Sequence, residues 1–212
     1  MEKVFFMRRV LDLLGQPGFL NRIAAITLRT IAGLVILLSL VVIFNGGKVI
    51  FSLPASGILG GILFQVCFIL AIYSVVHILI IRASQIDHIK AAEFSTFPLV
   101  ALLVKAFGEM FSAFTTLVAI GGGIYVWFTG KNVATILNPM HKFIPSFGDT
   151  TFVGGIQFMV GGVLVALGTL VVCYMASEAI GVLAEGKRQL AGKEKEFTTE
   201  TQEQPLRLRS GT

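Results

Sequence analysis

Four apolar stretches, each long enough to cross a lipid bilayer, constrain this chain more than any other feature of its sequence. A helix needs about 20 apolar residues to cross about 30 Å of hydrocarbon. The stretches cover residues 23–44, 57–81, 107–128 and 152–176, and their only charged residues are Arg29 and Glu109, each near the start of its stretch. The sequence therefore predicts an all-α membrane protein, a bundle of four transmembrane helices.

Composition and motifs narrow the class of function. Charged residues make up 14% of the 212 residues, whereas a soluble domain carries about 25%, and the mean hydropathy is +0.84. Cys67 and Cys173 both lie in apolar stretches, which favours neither a disulfide framework nor a metal site. The sequence has no phosphate-binding loop and no hydrolase or metalloprotease motif. We therefore expect a protein that is not an enzyme, needs no cofactor and binds no nucleic acid.

The first apolar stretch predicts a permanent helix rather than a cleaved signal peptide. A secretory signal has an apolar region of about 7–15 residues after a short basic segment. Here 22 residues precede an apolar run of similar length. We therefore count this stretch as a span.

The Lys and Arg residues predict the orientation. There are 17 Lys and Arg residues in all. Fourteen of them lie at or before the start of the first stretch, between the second and third stretches, or after the fourth. Only three lie between the first and second stretches or between the third and fourth. Basic residues concentrate on the cytoplasmic side of membrane proteins. The sequence therefore predicts a multi-pass protein of the inner (plasma) membrane with both termini in the cytoplasm.

The segments outside the spans predict different structures. Residues 1–22 alternate apolar and basic side chains, which predicts an interfacial amphipathic helix on the inner leaflet or, alternatively, a docking helix for a partner. Residues 45–56 are rich in turn-forming residues and predict a short external loop. Residues 185–212, after the transmembrane domain of residues 23–184, are polar and charged and predict a disordered cytoplasmic tail.

Small residues recur in pairs along the fourth stretch, one pair every seven residues. A seven-residue repeat stays on one face of a supercoiled helix, and glycine lets two backbones approach closely in lipid. This packing face consists of Gly154, Gly155, Gly161, Gly162, Gly168 and Thr169. It indicates close packing against another helix, either within the chain or between copies; a narrow pore lined by glycine is a third alternative.

Ionisable residues of the spans collect near their predicted cytoplasmic ends, as counted at about 1.5 Å per residue. Lys105 and Glu109 are four residues apart, so they can pair on one helix face. Two interpretations stay open: charges that extend to the headgroups beside one structural ion pair, or a proton or ion site open to the cytoplasm. The candidate cluster comprises Arg29, His77, Lys105, Glu109 and Glu178.

Two short elements resemble those of small bacterial four-helix inner-membrane proteins with no established activity. One is the segment from Pro98 to Glu109, in which an apolar run leads to a basic residue and then Gly108-Glu109. The other is Glu178 followed by an apolar turn at the end of the last helix. The resemblance implies a bacterial inner-membrane setting and no particular activity.

Two hypotheses for the function follow. The first is a non-catalytic membrane module, surrounded by lipid, that forms homo-oligomers or joins a larger membrane complex through its glycine faces. The second is a small ion or solute transporter or channel that uses the charged Arg/Lys/Glu cluster at the cytoplasmic side.

Overall fold

The computed structural model describes residues 18–88, 96–133 and 150–209. These residues form four α-helices and no strand; the helices are α1 Phe19–Phe51, α2 Ala55–Asp87, α3 Thr96–Thr129 and α4 Phe152–Arg209. All four are long and apolar enough to cross a membrane, α4 over Phe152–Gly186. The prediction of an all-helical protein with four helices able to span a membrane is confirmed. The predicted interfacial helix falls almost entirely on residues outside the described ranges.

The helices are longer than the bilayer core requires. A helix of 33 residues, the length of α1 and α2, measures about 50 Å. α1 continues through Asn45, Gly46 and Gly47 to Phe51, so the predicted loop at residues 45–56 shortens to residues 52–54. The physical reason is that backbone groups near lipid have no water to bond, so a continued helix satisfies them best.

The predicted disordered tail also differs from the structure, in which α4 continues to Arg209. The segment is polar, yet Lys, Glu, Gln, Arg and Leu, all common in it, are good helix formers. Extending an existing helix also avoids the unfavourable nucleation of a new one. Polar composition alone therefore does not determine the backbone conformation of this segment.

Each helix packs antiparallel against the next helix in the chain, and no other pair of described helices makes more than marginal contact. Gln65 of α2 donates a hydrogen bond of 2.9 Å to the carbonyl of Ile43 in α1. Arg29, about three turns into α1, pairs with Asp87, the last residue of α2. The result is a sequential array in which α2 and α3 are the inner helices and α1 and α4 are the edge helices.

Glycine allows the inner helices to approach closely. A Cβ atom on Gly121 of α3 would lie 2.7 Å from the Cβ of Cys67 in α2. On the other side of α3, a Cβ on Gly123 would lie 2.7 Å from the carbonyl oxygen of Gly155 in α4. Side chains at these positions would force the helices apart, so the glycines set the spacing on both sides of α3.

The array has two ends. The charged end is where α1 begins, α2 ends and α3 begins; the loop end is the opposite one, where α1 joins α2. At the loop end the core is aromatic, with Phe64, Phe68 and Tyr125 almost fully buried. Towards the charged end it is aliphatic, built from Leu28, Leu79, Ala83, Ile86 and Leu99. Most outward side chains of α1 and α4 are exposed and apolar, as lipid contact requires.

Candidate functional site

The polar centre of the array is Glu109 of α3, whose carboxylate contacts both neighbouring helices. Arg82 of α2 contacts the Glu109 carboxylate through two nitrogens: Nε donates a hydrogen bond of 2.9 Å to Oε2, and Nη2 pairs with Oε1. The Tyr174 hydroxyl of α4 donates a hydrogen bond of 2.6 Å to the same Oε1. One carboxylate therefore ties α2, α3 and α4 together.

The antiparallel arrangement explains why these side chains meet. In a helix, the Cα–Cβ bonds tilt towards the N-terminus. The N-terminus of α3 is at the charged end, whereas those of α2 and α4 are at the loop end. Glu109 therefore leans towards the charged end, while Arg82 and Tyr174 lean back from it, and the three polar groups converge.

Two further side chains complete this cluster. Arg82 Nη1 donates a hydrogen bond of 2.6 Å to Gln85 Oε1, one turn along α2. Lys105, one turn before Glu109 on α3, places its Nζ 4.3 Å from the centre of the Tyr174 ring. An ammonium group over an aromatic face is stabilised by the negative potential of the ring. We call Arg82, Gln85, Lys105, Glu109 and Tyr174 the three-helix cluster.

The central ion pair is largely shielded from its surroundings, with side chains of Arg82 and Glu109 only 14% and 18% exposed. By contrast, the Arg29–Asp87 pair near the same end has side chains 51% and 33% exposed. Losing one partner of a shielded pair leaves an uncompensated charge, which is strongly destabilising. The three-helix cluster should therefore tolerate the loss of either Arg82 or Glu109 poorly, and it places ionisable groups inside the spans.

The structure brings together only part of the cluster that the sequence predicts. Lys105 and Glu109 lie in the three-helix cluster, although the carboxylate pairs with Arg82 and not with the lysine. Arg29 pairs with Asp87 instead. His77 is exposed on α2 and stacks on Tyr73 with ring centres 5.8 Å apart.

Glu178 lies on α4 one turn beyond Tyr174, towards the charged end, and is exposed. The described side chains form two ion pairs, Arg29–Asp87 and Arg82–Glu109. Neither Glu178 nor Lys105 belongs to these two ion pairs.

The predicted glycine face of α4 is divided by the structure. Gly154, Gly155 and Gly162 are buried, and a Cβ on Gly162 would collide with that of Ala119 in α3. Gly161 and Thr169 are half-buried, whereas Gly168 is exposed and a Cβ there would have no atom within 4 Å. Part of the face therefore packs within the chain, and part points away from it.

Sequence reasoning missed Arg82, Gln85 and Tyr174 as members of the cluster. Arg82 directly follows an apolar stretch and looks like a loop residue, and Tyr174 looks like one more apolar residue of its span. The signal in the sequence was the position of Arg82, one residue after an apolar run, where a long side chain can fold back along its helix. Tyr174 carried no comparable signal, because its role depends on the register of α4 against α3.

No group of three or more His, Cys, Asp or Glu side chains within residues 18–88, 96–133 and 150–209 could hold a metal ion. Comparisons with known protein families, with curated proteins and with solved structures gave no match.

Proposed function

We propose that this protein is a non-catalytic membrane module, set in a bacterial inner membrane with both termini in the cytoplasm. It acts by associating with a second copy of itself or with another membrane protein. The surface that makes this contact is the outer flank of α4. This flank comprises Gly161, Leu164, Gly168, Val172 and Met175.

One observation carries the proposal: the glycines of α4 divide between two directions. Gly155 and Gly162 face α3, where glycine is needed for close packing. Gly168 is exposed and has open space around it, and Gly161 on the same flank is half-buried. Exposed glycine on a membrane helix leaves a notch into which the backbone of another helix fits.

The position of α4 at the edge of the array supports the same proposal. α4 packs against α3 and makes no more than marginal contact with α1 or α2 in the described ranges. Leu164, Val172 and Met175, at 63%, 65% and 66% exposure, surround the glycine notch with apolar side chains. A partner helix on this flank would bury them without disturbing the contacts of the array.

The test compares two glycine variants of the full-length protein by native mass spectrometry after gentle release from the membrane. Gly168→Leu fills the notch, and we expect it to reduce the associated fraction, since the partner backbone no longer fits. Gly181→Leu is the matched control, because it lies on the same helix with equally open surroundings. Unchanged association of the Gly168→Leu protein, or a wild-type protein that carries neither a partner nor a second copy, would refute the proposal.

A second candidate, a small ion or solute transporter, is favoured by the presence of Glu109, Arg82 and Lys105 together inside the spans. Intramembrane charges of this kind mark ion and proton pathways in many transporters. We rank it second because bulky aromatic side chains fill the core towards the loop end. Its test is flux into liposomes, which Glu109→Gln should abolish; equal flux from variant and wild type would exclude this role for Glu109.

A further inference from the structure

The level of the three-helix cluster within the membrane follows from the aromatic residues at the loop end. Trp127 and Phe152 are both exposed there and stack with ring centres 4.9 Å apart, as is typical of side chains at a membrane–water interface. Lys105 lies twenty-two residues from Trp127 on α3, and Tyr174 lies twenty-two residues from Phe152 on α4. That separation corresponds to about 33 Å along a helix, close to the hydrocarbon thickness of about 30 Å.

Lys105 and Tyr174 therefore lie at the headgroup level of the opposite leaflet. α1 has the same spacing, since twenty-two residues separate exposed Phe51 from Arg29. The same spacing on three helices therefore places the polar layer of that leaflet at one level.

At this level one cation, Lys105, and one anion, Glu178, form no ion pair with each other or with another described side chain. The Lys105 ammonium lies over the Tyr174 ring, and the Glu109 carboxylate below it is occupied by Arg82 and Tyr174. Glu178 is exposed four residues after Tyr174, which places it on the same face of α4 about 6 Å further along. The two charges therefore flank Tyr174, with opposite signs.

We propose that Lys105 and Glu178 form a binding site for a phosphoethanolamine group, the zwitterionic headgroup of an aminophospholipid. Lys105 pairs with the phosphate, and Glu178 accepts hydrogen bonds from the primary ammonium. Charge-assisted hydrogen bonds of both kinds are stronger than neutral ones. A choline headgroup carries the same charges but has no N–H to donate to Glu178, so the site discriminates against it.

The surface below Tyr174 suits the acyl chain of such a lipid. Val171 and Leu167 precede Tyr174 by three and seven residues, which places them on the same flank of α4 towards the membrane centre. Both are exposed, at 56% and 52%. Gly168 points about 120° away from Tyr174 around the helix at 100° per residue, so the glycine notch faces away from the tyrosine ring. Leu164 of the outer flank lies seven residues before Val171 and shares its face, so the two surfaces adjoin along α4.

The experiment measures lipid retention by the full-length protein in native mass spectrometry, with phosphatidylethanolamine, phosphatidylglycerol and phosphatidylcholine of identical acyl chains. We expect the wild type to retain phosphatidylethanolamine most strongly. Lys105→Gln should lower retention of phosphatidylethanolamine and phosphatidylglycerol about fivefold, the equivalent of about 1 kcal/mol for one basic residue at a lipid surface. Glu178→Gln should abolish the preference for phosphatidylethanolamine over phosphatidylcholine while leaving phosphatidylglycerol bound.

The controls separate binding from folding. Lys105→Arg keeps the positive charge and should retain the lipid, and Lys131→Gln removes an exposed lysine at the loop end and should change nothing. The phosphoethanolamine group could come from a lipid or from the free soluble molecule, and soluble phosphoethanolamine in millimolar excess distinguishes these two sources. If it displaces the lipid, the site is assigned to the free molecule. If the lipid stays bound, the site is assigned to the lipid. Equal retention of phosphatidylethanolamine and phosphatidylcholine by the wild type, or normal retention by a folded Lys105→Gln protein, would overturn the proposal.

Discussion

The Tyr174 hydroxyl of α4 donates a hydrogen bond of 2.6 Å to Glu109 Oε1 of α3, the same oxygen that pairs with Arg82 of α2. Since α2 and α4 make no more than marginal contact with each other in the described ranges, this carboxylate is their polar connection. The stability of the array at the charged end should therefore depend on both of these partners.

Tyr174→Phe should destabilise the protein by about 1–2 kcal/mol, because it removes a donor from a charged, shielded acceptor and keeps the ring beneath Lys105. The measurement is the free energy of unfolding in mixed detergent micelles. Tyr73→Phe is the control, since Tyr73 is exposed on α2 and its loss should have little effect. Equal stability of both variants would show that the hydrogen bond to Glu109 does not contribute.

Glu109→Gln should lower the free energy of unfolding by about 3 kcal/mol, because it leaves the Arg82 guanidinium without its counter-charge inside the membrane. Arg82→Gln should have a similar effect, and the double variant should lose less than the sum of the two, as expected of residues in contact. The more exposed Arg29–Asp87 pair provides the comparison, with about 0–1 kcal/mol expected for Arg29→Gln. Additive losses for Arg82 and Glu109 would mean that the two residues act independently.

The contact between Ala119 and Gly162 predicts a reciprocal exchange. Gly162→Ala alone would place two Cβ atoms in collision, and we expect it to cost about 1–3 kcal/mol through overpacking. Adding Ala119→Gly should restore much of this loss, since the methyl group then comes from α4 instead of α3. Gly168→Ala, in open space, should be tolerated; failure of the double variant to recover would contradict the register of α3 against α4.

The four spans were predictable from the sequence because crossing a bilayer imposes a length and an apolar composition that a single stretch of chain displays by itself. The partners of Glu109 were not, because they depend on how far α2 and α4 are shifted along α3. Arg82 and Tyr174 reach Glu109 only through that shift and through the opposite tilts of their side chains. No local pattern encodes either property.

The glycine pairs of α4 show a related limit. A seven-residue repeat drifts by about 20° per heptad around a straight helix. The first member of each pair therefore turns progressively away from α3, from buried Gly154 through half-buried Gly161 to exposed Gly168. The repeat predicted one packing face, whereas the division of its members between two directions depends on the path of the helix.

Trp127 is the only tryptophan of the chain, which makes its depth in the membrane directly measurable. Its Nε1 donates a hydrogen bond of 2.9 Å to the carbonyl of Phe152, and the interface level at the loop end predicts a shallow position. In vesicles, its fluorescence should be quenched more by lipids with a spin label near the headgroup than by lipids labelled near the end of the acyl chain. Stronger quenching by the deep label would place the loop end inside the hydrocarbon.

The predicted orientation can be tested with a membrane-impermeant thiol reagent in intact cells, after Cys67 and Cys173 are replaced by alanine. Lys131→Cys, at the loop end, should react from outside. Glu185→Cys, exposed on α4 beyond the charged end, should react only after the cells are permeabilised. The reverse pattern would show that the basic residues do not set the orientation as the positive-inside rule predicts.

The order in which the helices pack has a consequence for how the protein is made. Every extensive helix–helix contact joins neighbours in the chain, so each new helix that leaves the ribosome finds its binding surface already in the membrane. We therefore expect folding to follow the direction of synthesis, since every loop closure is short and no helix waits for a distant segment. In that order, the hydrogen bond from Tyr174 to Glu109 Oε1 would be the last contact of this carboxylate to form, because α4 is the last helix to be synthesised.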